Sequence, residues 1–406
     1  RRDPADQARA GQPDVAGHLG VGRCFAEGAT EELGDQLHRG ANVPTTTEDS
    51  TLWPHMGRSA HATAAFAWLV LVQAPVAIGG LGGELLPIPV AFSFPETGPG
   101  GGAKLRWQDP FDHPGYMDLT AYTTVRHQSD MDATVERDSL DGVWRLTAFG
   151  EVGKFPEEWF GPGDPPPDSL QGVYTPTYAG GYAQVSRWLP GGFSVGAQLY
   201  AENTSIRTNR QGIFAVDSSW VGIHGGTDFD GSLILEREGR DLKENPKSGS
   251  YLSLKLQTAL PGADFDWQDL VADASDAVSQ GSFTEVGRIH KEEAWGSVPF
   301  WEIPFLGWRK SLRGLPNKQL RGESVQCIGV ETRWNGPKIW VFPMQPAIFG
   351  ELGQAGTHGG VWSADPRWAA GLGLRSPLAG GKAVLRMDYG WSEFGSGLYV
   401  DFGQAF

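Results

Sequence analysis

The residues of this chain with most capacity for chemistry are an arginine and a set of carboxylates. Arg313-Gly314, within Ser311-Leu312-Arg313-Gly314-Leu315-Pro316, is followed by Glu331 and Arg333, then by Phe349, Glu351 and Gly353. A guanidinium and carboxylates brought together form charge-assisted, often bidentate hydrogen bonds, and a glycine beside the arginine lets the backbone approach a wall closely. The chemistry on offer is clamping rather than catalysis. A solvated turn would carry the same Arg-Gly pair, and the echo Leu320-Arg321-Gly322 does not decide between the two. The sequence contains no Gly-x-Ser-x-Gly elbow and no His-Glu-x-x-His pair. The glycine runs 79–83 and 98–102 precede no helix and read as turns rather than phosphate cradles. His224, His290 and His358 are scattered. No catalytic residue, metal or cofactor is therefore expected, and the protein is not expected to be an enzyme.

Composition limits what can position these residues. The chain has 406 residues, 57 of them Gly and 16 Trp, with 11% aromatics overall, which suits many short strands and tight turns or an aromatic-girdled barrel. A net charge of −15 without a dense basic run argues against nucleic acid as a partner. Two cysteines, Cys24 and Cys327, make no disulfide framework or thiolate metal site.

Residues 1–55 are polar, without periodic apolar spacing, and are expected to be a non-native upstream or disordered segment. From Met56, the first methionine, the basic Arg58 and His61 precede the apolar run 62–72, which reads as a secretory signal over 56–78. Residues 79–86 form a short linker, and 87–406 a single β domain. From Leu86 on, apolar and polar residues alternate with period two, as in Leu252, Leu254 and Leu256 against Ser253, Lys255 and Gln257.

About sixteen strands are expected, near 87–96, 99–108, 117–127, 131–138, 143–153, 173–188, 192–206, 229–238, 250–260, 264–275, 282–294, 323–334, 338–353, 367–376, 382–391 and 397–406. Charges at strand centres (Lys255, Glu351, Arg386, Asp388) favour a water-filled lumen over a dry core. Aromatics at strand ends (Trp107, Trp188, Trp334, Trp340, Trp391, Phe406) fit interface girdles. The fold expected is thus all-β, a transmembrane antiparallel barrel in the outer membrane of a Gram-negative cell, exported by its signal peptide. The connection 295–321, between the eleventh and twelfth strands, carries Arg313 and is expected to fold inward.

In their order these motifs resemble the BamA/TamA-type outer-membrane assembly barrels, the bacterial surface antigen family. Gly296-Ser-Val-Pro-Phe300 leading to Arg313-Gly314 is similar to that family's inward-tucked sixth loop. Val330-Glu-Thr-Arg333 is similar to its Glu-x-Arg strand, and Phe349-Gly-Glu351-Leu-Gly353 to its Phe-x-Asp-x-Gly strand. Leu315 stands where the family usually has Tyr or Phe, and Glu351 where it has Asp.

The resemblance implies a loop–lumen motif of Arg313, Gly314, Leu315, Glu331, Arg333, Phe349, Glu351 and Gly353, with Arg313 reaching Glu351 or Glu331. It also implies a C-terminal assembly signal at Tyr399, Phe402 and Phe406. It further implies a role in assembly or translocation of outer-membrane proteins through a weakly paired first–last strand seam. The partners implied are outer-membrane lipids and lipopolysaccharide, and unfolded outer-membrane proteins or a separate periplasmic partner, since no room for periplasmic transport domains precedes the first strand. The alternatives are a channel, a lipid-exchange barrel, or a structural or surface-antigen barrel without insertase activity.

Overall fold

The computed structural model describes residues 76–77, 82–94, 98–139, 141–166, 172–208, 220–308, 311–336, 338–339, 342–359, 366–378, 383–402 and 405. The upstream segment, Phe406 and residues 56–75 and 78 of the signal-peptide reading lie outside the described residues, while Val76–Ala77, at the end of that reading, pair antiparallel with Glu84–Leu85. Sixteen long strands make up the wall. They are β1 (Glu84–Phe94), β2 (Gly98–Gln108), β3 (Gly115–Thr124), β4 (Ser129–Asp138), β5 (Trp144–Lys154), β6 (Gly172–Leu189), β7 (Phe193–Thr208) and β8 (Gly225–Glu238) in the first half. The second half holds β9 (Gly249–Ala259), β10 (Trp267–Gln280), β11 (Phe283–Gly296), β12 (Ser324–Trp334), β13 (Gln345–Gly356), β14 (Arg367–Leu378), β15 (Ala383–Ser392) and β16 (Gly395–Phe402). Each pairs antiparallel with the next, from β1–β2 through β15–β16, in an uninterrupted meander.

Period-two patterning decides which face looks where. Leu119, Leu146, Leu199, Leu233, Val330, Ile348 and Leu372 are exposed on the outer face, while Asp118, Glu136, Glu202, Asp230, Glu331 and Asp388 are buried within. An apolar exterior over a charged interior is the pattern of a barrel with lipid outside, in which every strand finds its hydrogen bonds in its neighbours. Strands β10 and β11 alternate poorly in sequence because their inner faces mix Val271, Ala277 and Val286 with Asp269 and His290. The thirteenth strand begins at Gln345 rather than near 338, because 338–339 and 342–343 form a separate small ladder. Pro343 cannot donate to a longer one.

The long connections 155–171, 209–224 and 297–323 leave from one rim, and short turns such as 190–192 and 281–282 from the other. Outward aromatics ring both rims: Trp144, Phe193, Phe283 and Trp334 at the short-turn end, Trp368 and Trp391 at the other. Trp188, expected in a girdle, instead lies on the inner parity with the Arg145 guanidinium 5.4 Å from its ring centroid.

At the long-loop rim a buried aromatic cluster joins Trp159, Tyr174, Phe265, Trp267, Phe300 and Trp301. It ties loops 155–171, 260–266 and 297–323 together. Strands β1 and β16 complete the circuit by proximity, with Cα atoms within 8 Å. Among the described residues no hydrogen-bonded ladder joins them.

Candidate functional site

Loop 297–323 does not project from the rim but turns into the lumen. Leu306, Leu312, Leu315 and Leu320 are buried against Val325 and Cys327 of β12, Ala355 of β13 and Ala369 of β14. This apolar footing fixes the loop, and Gly353 makes room for it. A Cβ at Gly353 would lie 2.8 Å from Leu312 Cδ1 and 2.9 Å from Leu306 Cδ1. Leu315, where the resemblance would place an aromatic, is one of these packed side chains. Leu312 has a left-handed backbone at φ 47°, a strained conformation for a branched residue, held by the burial around it.

The loop delivers Arg313, which is wholly buried. Its Nε donates to Glu351 Oε1 at 2.9 Å and its own backbone N–H donates to Glu351 Oε2 at 2.7 Å. Its Nη1 donates to Glu331 Oε2 at 3.0 Å and to Asp388 Oδ2 at 2.9 Å. The guanidinium carbon lies 3.4 Å from the centroid of the Phe349 ring, a cation–π contact. One loop arginine thereby grips β12, β13 and β15. Arg313 is on the loop rather than on a crossing strand. Burial alone would depress its guanidinium, but Glu351, Asp388 and Glu331 outweigh burial and hold it above the ordinary arginine range.

The neighbouring backbone is gripped as well. Gly314 N–H donates to the Tyr399 hydroxyl of β16 at 3.0 Å, and that hydroxyl donates to the Leu315 carbonyl at 3.1 Å. At φ 121° Gly314 has a conformation that L side chains rarely adopt. A Cβ there would also lie 2.9 Å from the Trp391 backbone, and one on Gly390 only 2.2 Å from the Arg313 carbonyl oxygen. Loop and wall touch backbone to backbone at this point.

The carboxylates are shared with wall arginines. Arg333 Nε donates to Glu331 Oε1 at 2.7 Å, Arg375 Nη2 to Glu331 Oε2 at 2.7 Å, and Arg386 Nη1 to Asp388 Oδ2 at 3.0 Å. Arg375 also bonds the other oxygen of Asp388. Four arginines thus surround three carboxylates in a connected network, the arrangement in which buried charge is tolerated.

All the residues expected in the loop–lumen motif meet here. Tyr399, grouped in the sequence with the chain's aromatic end, belongs to this site. Phe402 is in β16, and its side chain is not among those described. Arg375, Asp388 and Gly390 complete the site although the sequence reading did not include them in it. The signal that marks them is inward glycine: Cβ atoms at Gly371 and Gly373 would lie 2.3 Å from Phe349 Cζ and 2.2 Å from Arg375 Nη1.

The second Arg-Gly serves the rim. Arg321 is fully buried. It donates through Nη1 to the Phe300 carbonyl at 3.2 Å and lies 4.7 Å from the centroid of Trp159. Gly163 N–H of loop 155–171 donates to its carbonyl at 2.9 Å, and Lys318 reaches Glu157 at 3.0 Å. At the far end of the seam strand, Ala405 offers its carbonyl to Arg288 Nη1 of β11 at 3.1 Å. Ala405 is buried there. Among the described residues no group of His, Cys, Asp and Glu has the arrangement to hold a metal ion.

No protein-family model matches this sequence, and no curated protein does. Among solved structures, the chain is similar to the crystal structure of BamA from Haemophilus ducreyi lacking POTRA domains 1-3. The TM-score is 0.58 at 11% identity, over 83% of this chain and 75% of that one. It is also similar to CdiB from Escherichia coli (TM-score 0.57, 12% identity, 78% of this chain and 61% of that one). CdiB from Acinetobacter baumannii matches at a TM-score of 0.52 and 12% identity, over 79% of this chain and 59% of that one. The chain therefore has the fold of the BamA-type barrels, and it spans about three fifths of the CdiB chains.

Proposed function

We propose that this protein is an outer-membrane barrel of the assembly or translocation kind, which handles polypeptide strands without enzymatic chemistry. The observation that carries this reading is the contrast between seam and clamp. Strands β1 and β16 lie side by side without a ladder, while Arg313 and Gly314 bind β12, β13, β15 and β16 into one unit. Unpaired strand edges are costly in lipid and are templates for strand addition. A barrel that keeps its edge strand firmly mounted yet unpaired is suited to receive an incoming strand. On this reading the partners are unfolded outer-membrane proteins, with a periplasmic carrier to bring them, and the surrounding lipids and lipopolysaccharide.

An open diffusion pore has less support, because loop 297–323 occupies the lumen and the aromatic cluster gathers the loops above it. A channel or lipid-exchange barrel is the second reading. The run of inward acids on β3–β8, among them Asp118, Asp130, Glu136, Glu202, Asp228 and Asp230, would make such a path cation-selective.

The test is reconstitution of the barrel in liposomes and timing of the folding of an unfolded small outer-membrane barrel against empty vesicles. A several-fold acceleration is expected. Equal rates, with a cation-selective conductance, would replace this reading by the second.

A further inference from the structure

The outer surface at the short-turn rim carries a feature that the strand-accepting seam does not use. Arg137 of β4 is opposite Leu146 of β5, which is opposite Val185 of β6; one step nearer the turn, Trp144 is opposite Arg187. All five side chains are exposed on the outer face. A groove of about 330 Å³ is lined by Arg137, Trp144, Leu146 and Val185 and bordered by Ser139, Asp138 and Arg145; Arg187 stands beside it, opposite Trp144.

The negative charge at its edge is neutralised, since Arg145 holds both Asp138 oxygens, at 2.6 and 2.9 Å. Among the described residues neither Arg137 nor Arg187 forms an ion pair. Arg187 instead lies 5.5 Å from the centroid of Trp144, with its charge facing the surroundings. Two inter-strand spacings place β4 and β6 roughly 10 Å apart, so both guanidinium groups can reach one anion between them. Toward the membrane centre the next outward pair is Ala148 and Ala183, a shallow trough continuous with the groove.

The geometry points to a binding site for an anionic phospholipid. Its phosphodiester lies between Arg137 and Arg187, its glycerol region lies against Trp144, and an acyl chain runs over Leu146, Val185, Ala148 and Ala183. Two observations support this occupant. An interfacial arginine pair complements a phosphate bidentately, and the site is at the rim of short turns, which faces the periplasm in barrels of this kind. The leaflet there is phospholipid, whereas lipopolysaccharide would meet the opposite rim. The assignment rests on the outer-membrane reading above.

The test uses the full barrel folded in phosphatidylcholine vesicles that contain a photoactivatable phosphatidylglycerol, with the cross-linked peptides mapped. Label is expected on β4–β6 at the short-turn end. The Arg137→Gln, Arg187→Gln double variant is expected to lose about thirty-fold of it, roughly what two interfacial arginines contribute toward an anionic surface. Arg126→Gln, at the other rim, should leave labelling unchanged. Retained heat-modifiable migration in detergent gels would show that each variant is folded.

Equal labelling by photoactivatable phosphatidylcholine, or an unchanged double variant, would overturn the site. So would stronger competition by lipid A than by phosphatidylglycerol. A chain that fails to enter any vesicle would instead undo the membrane reading itself.

Discussion

Arg313 concentrates the energetics of the lumen in one side chain. Glu351 accepts both the guanidinium Nε and the Arg313 backbone N–H, so the Arg313→Ala change leaves a carboxylate buried without its cation. Removing one member of a buried pair typically costs about 3–5 kcal/mol. The expected outcome is a lower folded fraction in cold detergent gels and a loop 297–323 newly open to protease. An unchanged gel and protease pattern would show that the apolar footing alone holds the loop. Arg313→Lys should fall between the two, because an ammonium cannot span Glu351 on one side and Glu331 with Asp388 on the other. Tyr399→Phe removes the acceptor of Gly314 N–H and the donor to Leu315 O, a loss of about 1–3 kcal/mol, measurable as an earlier urea transition. The sequence made Glu331 and Glu351 legible because carboxylates on the inner face of a strand call for a cation, and Arg313 because it stands beside a glycine in the connection that could bring it to them. It hid Arg375, whose part in the site depends on the register between β14 and β15, a tertiary fact.

The strands were legible as elements because a one-sided apolar surface imposes period two on the sequence. Their limits were less so, as in β13, where the small ladder of 338–339 with 342–343 takes the place of its expected first residues. What no local pattern reports is how two distant backbones meet. Gly390 of β15 and Gly314 of the loop touch through main-chain atoms, and Gly390→Ala would set a Cβ 2.2 Å from the Arg313 carbonyl. Overpacking of this kind costs about 1–3 kcal/mol, and the barrel should fold while the loop loses protease protection; a protected loop in this variant would contradict the close approach. The seam makes a separate prediction. Amides along the edge of β16, and along that of β1 beyond the Glu84–Leu85 pairing with Val76–Ala77, should exchange hydrogen much faster than those of β6–β8, which are paired on both sides. Equal protection would mean that a ladder closes the barrel in solution.

At the scale of the whole molecule, long connections at one rim, short turns at the other and aromatic rings at both give the barrel a direction in the membrane. The loop clamp, the aromatic cluster above it and the unpaired seam then form one arrangement: a wall held from inside on the β12–β16 side and open at its edge. On the proposed function this edge must be free for the protein to act. The direct test is a cysteine pair placed across Glu84–Phe94 and Gly395–Phe402, in a background where Cys24 and Cys327 are serine. The folding rate of an unfolded outer-membrane barrel would be timed in liposomes with the pair oxidised and then reduced. Acceleration that disappears on oxidation and returns on reduction is the predicted result. Acceleration that persists with the seam locked would contradict the account.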